Sequence, residues 1–457
     1  MTTEFTDGVF AFIAGIEDTC VYPPREFEME PLDEYELTDH TRQWRGDLDL
    51  IRNLGGTAVR YGVNWPLVHV AENEFDWAWL DERLHYASNE LGLTVIADLV
   101  HYGTPTWLAG SFADPRYADA VAQFAGEFAA RYRGVVDHLT PLNEPLTTAS
   151  FCGLRGVWPP ALSGWTGWTT VVIAMVDGMA KSIAAIRAAN PDAVIVHVEA
   201  SSLYGTDDPE LVAHAAELVA LGMLPTDLLL GRVTTGHELH PWLLSNGANP
   251  GVLERLTADP PSIDLMGVNY YPDLSPRSLI ASDGDVTQLA INRWTEGLEE
   301  SLLHFSRRYG LPMLVTETSI EGSDAVRVRW LDDSLDAIDR LRDDGVDIRG
   351  YTWWPLLDFV DWSYASGGRN VEEFAVDEAV VSSRRTEAAS HDGPAHAPRK
   401  TPFLRRMGLI SLEERADGSL ERIPTPVADR FLERARESRL EARLAARLAP
   451  TVDGANG

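Results

Sequence analysis

The sequence predicts a (β/α)₈ barrel, and three observations carry that reading. Short apolar runs alternate with longer amphipathic segments along nearly the whole chain. Eight such runs occur, and several are almost continuously apolar, as strands buried on both faces are. No glycine-rich phosphate loop opens the first helical segment, which removes the usual mark of a doubly wound open sheet.

The elements follow in order. Residues 9–14 form the first strand run. Helical spacing over 41–54 follows a Thr38/Asp39 cap region and stops at Gly55-Gly56. Strand 57–63 leads to a helix over 77–91, closed by Gly92, and strand 93–100 to a helix over 119–132, ending near Gly134. Strand 135–142 precedes a long helix over 168–189, stopped at Asn190-Pro191. Strand 193–198 is followed by helical patterns over 209–221 and 252–256, strand 263–269 by 292–309, and strand 313–316 by 324–343. Strand 348–353 and a last helix over 426–448 complete the set. At 457 residues this reads as one barrel domain over 1–449, with an irregular insertion at 366–402 after the eighth strand and a frayed tail at 450–457. Arg384, Arg385, His391, His396, Arg399 and Lys400 make that insertion basic. It reads either as a lid over the pocket or as a solvated linker.

Bulk properties narrow the function. A net charge of −32 would repel phosphate, which argues against a nucleic-acid partner. The first eight residues lack a basic stretch followed by an apolar run, and no apolar stretch reaches a membrane span. Two cysteines, Cys20 and Cys152, cannot build a disulfide framework, so a cytoplasmic location is expected. No cluster has zinc-ligand spacing, no Gly-x-Ser-x-Gly elbow is present, and no cofactor is implied.

Barrels of this kind carry their active sites at the C-terminal strand ends. The polar residues there are Arg60, with Asn64 and Trp65 following; His101 and Tyr102; Asn143 and Glu144; Glu199; Asn269, Tyr270 and Tyr271; Glu317; and Trp354, with Asp358, Asp361 and Trp362 beyond. Two carboxylates facing each other are what glycosidic cleavage needs, one to protonate the leaving oxygen and one to attack or assist. Aromatic faces stack on sugar C–H faces, and Asn, His and Asp bond sugar hydroxyls. A small-molecule glycoside or oligosaccharide is therefore the expected partner.

Thr140-Pro-Leu-Asn-Glu-Pro145 and Val315-Thr-Glu-Thr-Ser319 resemble the acid/base motif and the nucleophile motif, usually Thr-Glu-Asn-Gly, of glycoside hydrolase family 1, the β-glucosidase-like enzymes. Val59-Arg-Tyr-Gly-Val-Asn-Trp-Pro66, Val100-His-Tyr-Gly-Thr-Pro105 and Gly267-Val-Asn-Tyr-Tyr271 resemble three further strand-end motifs. Trp354-Pro-Leu-Leu-Asp-Phe-Val-Asp-Trp362 resembles Trp-Ser-Leu-Leu-Asp-Asn-Phe-Glu-Trp at equal length, and Arg405-Arg-Met-Gly-Leu409 and Arg422-Ile-Pro-Thr-Pro426 resemble the closing motifs.

The resemblance implies a retaining β-glycosidase with Glu144 as acid/base and Glu317 as nucleophile. It implies that Arg60 and Tyr271 hold the nucleophile's charge, that Asn143 binds the sugar 2-hydroxyl, and that Asn269 lies near the catalytic pair. His101, Tyr102, Trp354, Asp361 and Trp362 are implied to bind the glycone. Glu17 or Asp18 is expected where the family has a Gln, with the register open. A cation and a phenol beside Glu317 are expected to keep it ionised. The departures fall on sugar-reading positions: Asp361 where Glu is usual, Phe359 where Asn is usual, and Thr318-Ser319 for Asn-Gly. The expectation is conserved chemistry with an unusual glycone, away from phospho-sugars. A transglycosidase of the same mechanism and a catalytically inactive carbohydrate-binding barrel are the alternatives.

Overall fold

The computed structural model describes residues 5, 10–24, 27, 29–282, 285–367, 375–376 and 400–448. Most of the 366–402 insertion, its basic residues up to Arg399 and the 450–457 tail lie outside the described residues.

Eight parallel strands close into a barrel: β1 (Ala11–Gly15), β2 (Ala58–Gly62), β3 (Thr94–Asp98), β4 (His138–Thr140), β5 (Val194–Ala200), β6 (Leu265–Asn269), β7 (Met313–Thr318) and β8 (Ile348–Trp353). They neighbour one another in chain order, and β1 pairs with both β2 and β8, so no edge is left open. Each coincides with one of the eight apolar runs.

The outer ring includes α1 (His40–Asn53), α2 (Ala78–His85), α3 (Tyr117–Arg131), α4 (Gly164–Ala189), α5 (Val212–Leu229), α6 (Trp294–Tyr309), α7 (Asp324–Asp343) and α8 (Pro426–Leu448). Three stretches depart from the sequence reading. The second helix stops at His85 and continues as a π-turn over Tyr86–Glu90. The fifth runs eight residues past the expected end, because Pro225 is tolerated inside it where Gly222–Leu229 is wholly buried. Strands Leu203–Gly205, Pro276–Ser282 and Asp285–Ala290 form a small sheet outside the barrel, joined by Ala375–Val376 from the insertion. Helices α4 and α5 are long and apolar enough to cross a membrane, contrary to the sequence reading. Most of their apolar length is buried in the protein.

The barrel interior explains where the chemistry sits. A strand turns alternate residues inward. The inward rows supply a small apolar cluster of Ala11, Ile13, Ala58, Ile96, Val196, Val198, Leu265 and Leu314, with Phe5 packed into it. Two residues further along the same rows stand Arg60, Asp98 and Thr316, and Asn269 ends its own row. The apolar layers are thus topped by a polar one at the C-terminal strand ends.

Candidate active site

Arg60 is the hub of this layer and is fully buried. Its Nη1 donates to Glu317 Oε1 (2.8 Å) and to the Thr316 carbonyl (3.0 Å). Its Nη2 donates to Asp98 Oδ2 (2.9 Å) and Asn143 Oδ1 (3.1 Å). Glu17 Oε1 stands 2.8 Å from Nη1, but both Nη1 hydrogens are already directed elsewhere, so this contact is one of charge and not a hydrogen bond. Burial disfavours the charged guanidinium, yet Glu17, Glu317 and Asp98 outweigh it and hold Arg60 firmly protonated.

Glu317 also accepts from the Tyr271 hydroxyl at its other oxygen (2.8 Å). The two expected donors are therefore in place, but the charge balance differs from the expectation. Burial raises the Glu317 carboxyl, Arg60 lowers it, Glu144 raises it again, and the net direction is upward.

Glu144 lies at the mouth of β4, at the cap of a short helix, Pro145–Ala149. Its Oε1 accepts from Asn269 Nδ2 and its Oε2 from the Tyr102 hydroxyl, both at 2.8 Å. Asn269 is fixed in turn by Thr316 Oγ1 (2.6 Å), and Tyr102 by Asn143 Nδ2 (3.1 Å). Glu144 and Tyr102 both adopt left-handed backbone, with φ of 44° and 68°. Such geometry costs about 1–3 kcal/mol per non-glycine residue and collects at functional sites. Glu199 Oε1 accepts from the amide of Leu146 (3.2 Å), in the short helix that follows Glu144.

The remaining site residues divide into two groups. Beside Arg60, His101 bonds Asp98 through Nδ1 (3.0 Å). Burial works against its charged form, but Asp98 prevails and its pKa is raised. Glu17 is wholly buried with no hydrogen bond to either carboxyl oxygen among the described residues, and burial drives its pKa well up despite Arg60. Burial likewise brings Asp18 up to about 7, against the pull of His101. Of the two acids that compete for the Gln position, Glu17 stands against Arg60, while Asp18 Oδ1 accepts from the Thr19 amide (2.7 Å). Asp18 also lines a cavity of about 20 Å³ with Glu34, His40 and Asp358, room for about one water.

The second group lies beyond Trp354. Its indole Nε1 bonds the Glu17 carbonyl (2.9 Å), and its ring meets Tyr271 (6.0 Å) and Phe359 (5.3 Å). Trp362 packs among Tyr102, Phe151 and Trp158, and its buried Nε1 has no hydrogen-bond partner among the described residues. Asp361 accepts from the Ser363 amide (2.9 Å) and from Arg405 Nη1 (3.1 Å), whose Nε is held by Glu321 (2.8 Å). Burial raises Asp361, but Arg405 and the amide prevail and keep it ionised.

The thirteen residues that the family resemblance singled out therefore lie at this end of the barrel. Asp98, Thr316, Phe151, Trp158, Arg405 and Glu321 complete the site without having been singled out. For Asp98 and Thr316 a signal existed: each stands two residues after an inward apolar residue on its strand. Among the described residues, no group of three or more His, Cys, Asp or Glu could hold a metal ion.

The family model for "Glycosyl hydrolase family 1" matches residues 24–221 and 262–390. The chain is 24% identical over 388 residues to a bifunctional beta-D-glucosidase/beta-D-fucosidase of Bifidobacterium breve, spanning 72% of this chain and 82% of that protein. It is 23% identical over 356 residues to beta-glucosidase A of Thermotoga maritima, spanning 71% and 79%. Among solved structures, a family 1 β-glucosidase from Thermotoga maritima superposes with a TM-score of 0.73 at 16% identity, covering 95% of this chain and 99% of that one; at that identity the likeness is one of fold. The chain belongs to glycosyl hydrolase family 1 and is a glycoside hydrolase of the retaining kind.

Proposed function

We propose that the enzyme removes a terminal β-linked sugar from a glycoside or oligosaccharide in two steps, with Glu317 as nucleophile and Glu144 as acid/base. In the first step Glu144 protonates the departing oxygen while Glu317 bonds the anomeric carbon. In the second Glu144 takes a proton from water, which releases the sugar with its configuration retained. Arg60, Tyr271, Asn143 and Asn269 orient the two carboxyls. His101, Trp354, Asp361, Trp362, Glu17 and Asp18 surround the sugar, and Tyr102 steadies Glu144.

The observation that carries this reading is the asymmetry of the two glutamates. Glu317 receives a guanidinium and a phenol, the donors that favour its anion against the upward pull of burial. Glu144 receives only neutral donors, which suits a group that exchanges a proton in each half-reaction. Similar solved structures are β-glucosidases in complex with small molecules such as deoxynojirimycin and castanospermine, which supports a small sugar as ligand. The test is release of nitrophenol from a panel of β-glycosides, with Glu317→Ala as control. Release by both proteins, or none by the wild type, would sink the assignment.

A further inference from the structure

Three carboxyls face the Arg60 guanidinium, and only two of them receive a hydrogen bond from it. Nη2 gives its hydrogens to Asp98 and Asn143, and Nη1 gives its own to Glu317 and the Thr316 carbonyl. Glu17 Oε1 lies 2.8 Å from that same Nη1, yet neither Glu17 oxygen accepts a hydrogen bond among the described residues. The two glutamates therefore compete for one N–H, and Glu317 has it. The placement of Glu17 is not loose. Its carbonyl accepts from Trp354 Nε1 (2.9 Å), and the amide of Ile16 beside it donates to the Arg60 carbonyl (2.8 Å). Gly15 leaves room for the carboxyl, since a Cβ there would come within 2.9 Å of both its oxygens.

A buried carboxylate without a donor is costly, and the neutral acid is far less so. Glu317, with a guanidinium and a phenol, is the better seat for the charge of the pair, and Glu17 for its proton. The groups that face Glu17 are Arg60 on β2, Asp98 on β3 and Glu317 on β7. Asp18, next in the chain, is drawn to His101, and the Tyr35 hydroxyl accepts from the Asp18 amide (3.3 Å).

We propose that Glu17 is a positioning residue that alternates with the nucleophile as the partner of Arg60: it holds a proton while Glu317 is the anion, and releases it to take the Nη1 hydrogen when Glu317 bonds the sugar. The inference rests on the two-step reading above. Forming the bond from Glu317 to the anomeric carbon spends the charge of Glu317 and leaves Arg60 a buried cation short of one anion, which is unfavourable. The same event removes the repulsion that Glu317 exerts on Glu17. Glu17 then ionises, its proton passes to solvent, and its carboxylate restores the balance at Arg60. Hydrolysis of the ester returns the charge to Glu317 and the proton to Glu17, so none is consumed over the cycle.

The test counts protons as the intermediate forms. Glu144→Gln removes the acid/base's own proton, and a 2-deoxy-2-fluoro glycosyl fluoride still reacts, because fluoride leaves without one. The C1–F bond breaks and the C1–O bond to Glu317 forms, so the substitution itself neither takes nor yields a proton. In weak buffer at about pH 6, an indicator dye should report about one proton released per adduct counted by mass spectrometry, and almost none once Glu17→Gln is added. Less than about half a proton per adduct, or a release that Glu17→Gln fails to halve, overturns the proposal. A second arm needs no reaction. Glu317→Gln removes the same charge, so the infrared carbonyl band of protonated Glu17 should be present in the wild type and absent in Glu317→Gln. Isotope-labelled glutamate and the loss of the band in Glu17→Gln assign it. A band that persists in Glu317→Gln, or a wild type without it, also overturns the proposal. If no adduct forms, the two-step reading falls instead, and the infrared arm decides the inference.

Discussion

Around Glu317 and Glu144, hydrogen bonds run from carboxylate to guanidinium, phenol and amide, and Arg60 alone faces three carboxylates. Beyond Trp354 the other end carries an apolar cluster of Trp354, Phe359 and Met407, and the acid Asp361 beside it is tied to Arg405. The two ends answer to different constraints. Bond cleavage fixes where charge must develop, so the groups that meet it have little freedom of place. Sugar recognition fixes only which hydroxyls are met, so that end can change while the reaction stays the same.

The comparison breaks most visibly at Glu317. Glu317→Ala should lower kcat by roughly 10⁴-fold or more while sugar binding survives, read by turnover and by calorimetry. Comparable turnover in the variant would move the nucleophile elsewhere. Glu144→Gln should cost roughly 10²–10⁴-fold on alkyl glycosides and far less on a dinitrophenyl glycoside, whose leaving group needs no proton. An equal loss on both would deny Glu144 the acid's role.

Arg60→Ala should remove about 3–5 kcal/mol of stability in urea melts, because Glu17, Asp98 and Glu317 lose their common cation. Loss under about 1 kcal/mol would mean that the carboxyls are neutral without it.

The smallest effect concerns pH. Asp18 titrates at about 7 in the folded chain, above its ordinary value of 3.8, so the folded state holds the proton more tightly than the unfolded one. Its contribution to stability is complete below the ordinary value and is lost as pH rises to about 7 and beyond. Buried His69, His138 and His197, lowered to about 4 by desolvation, slope the other way only below their ordinary 6.5. Between about pH 6.5 and 8 the wild type should therefore lose melting temperature with rising pH, and Asp18→Asn should lose less. Equal slopes would place Asp18 outside this balance.

Much of the fold was legible because both-face burial writes each barrel strand as a short apolar run. The outer sheet at Leu203–Gly205, Pro276–Ser282 and Asp285–Ala290 was not, since its residues are partly exposed and carry no such run. Pro225 reads as a helix stop locally, and only tertiary burial carries α5 through it. In the site, residues just past a strand were easily found. Asp98 lies inside an apolar run, marked only by its place on the inward row, and its partner Arg60 reaches it from the adjacent strand β2. The tie between Asp361 and Arg405 joins residues 44 positions apart. Local sequence carries no sign of that pairing.

The most direct test of the two-carboxylate account is to trap the glycosyl-enzyme. The enzyme is incubated with the 2-deoxy-2-fluoro glycosyl fluoride of its preferred glycone, digested, and mapped by mass spectrometry. The expected result is one added sugar on the peptide holding Glu317, absent in Glu317→Ala. An adduct on Glu144 or Glu17, or turnover that never forms an adduct, would contradict the account.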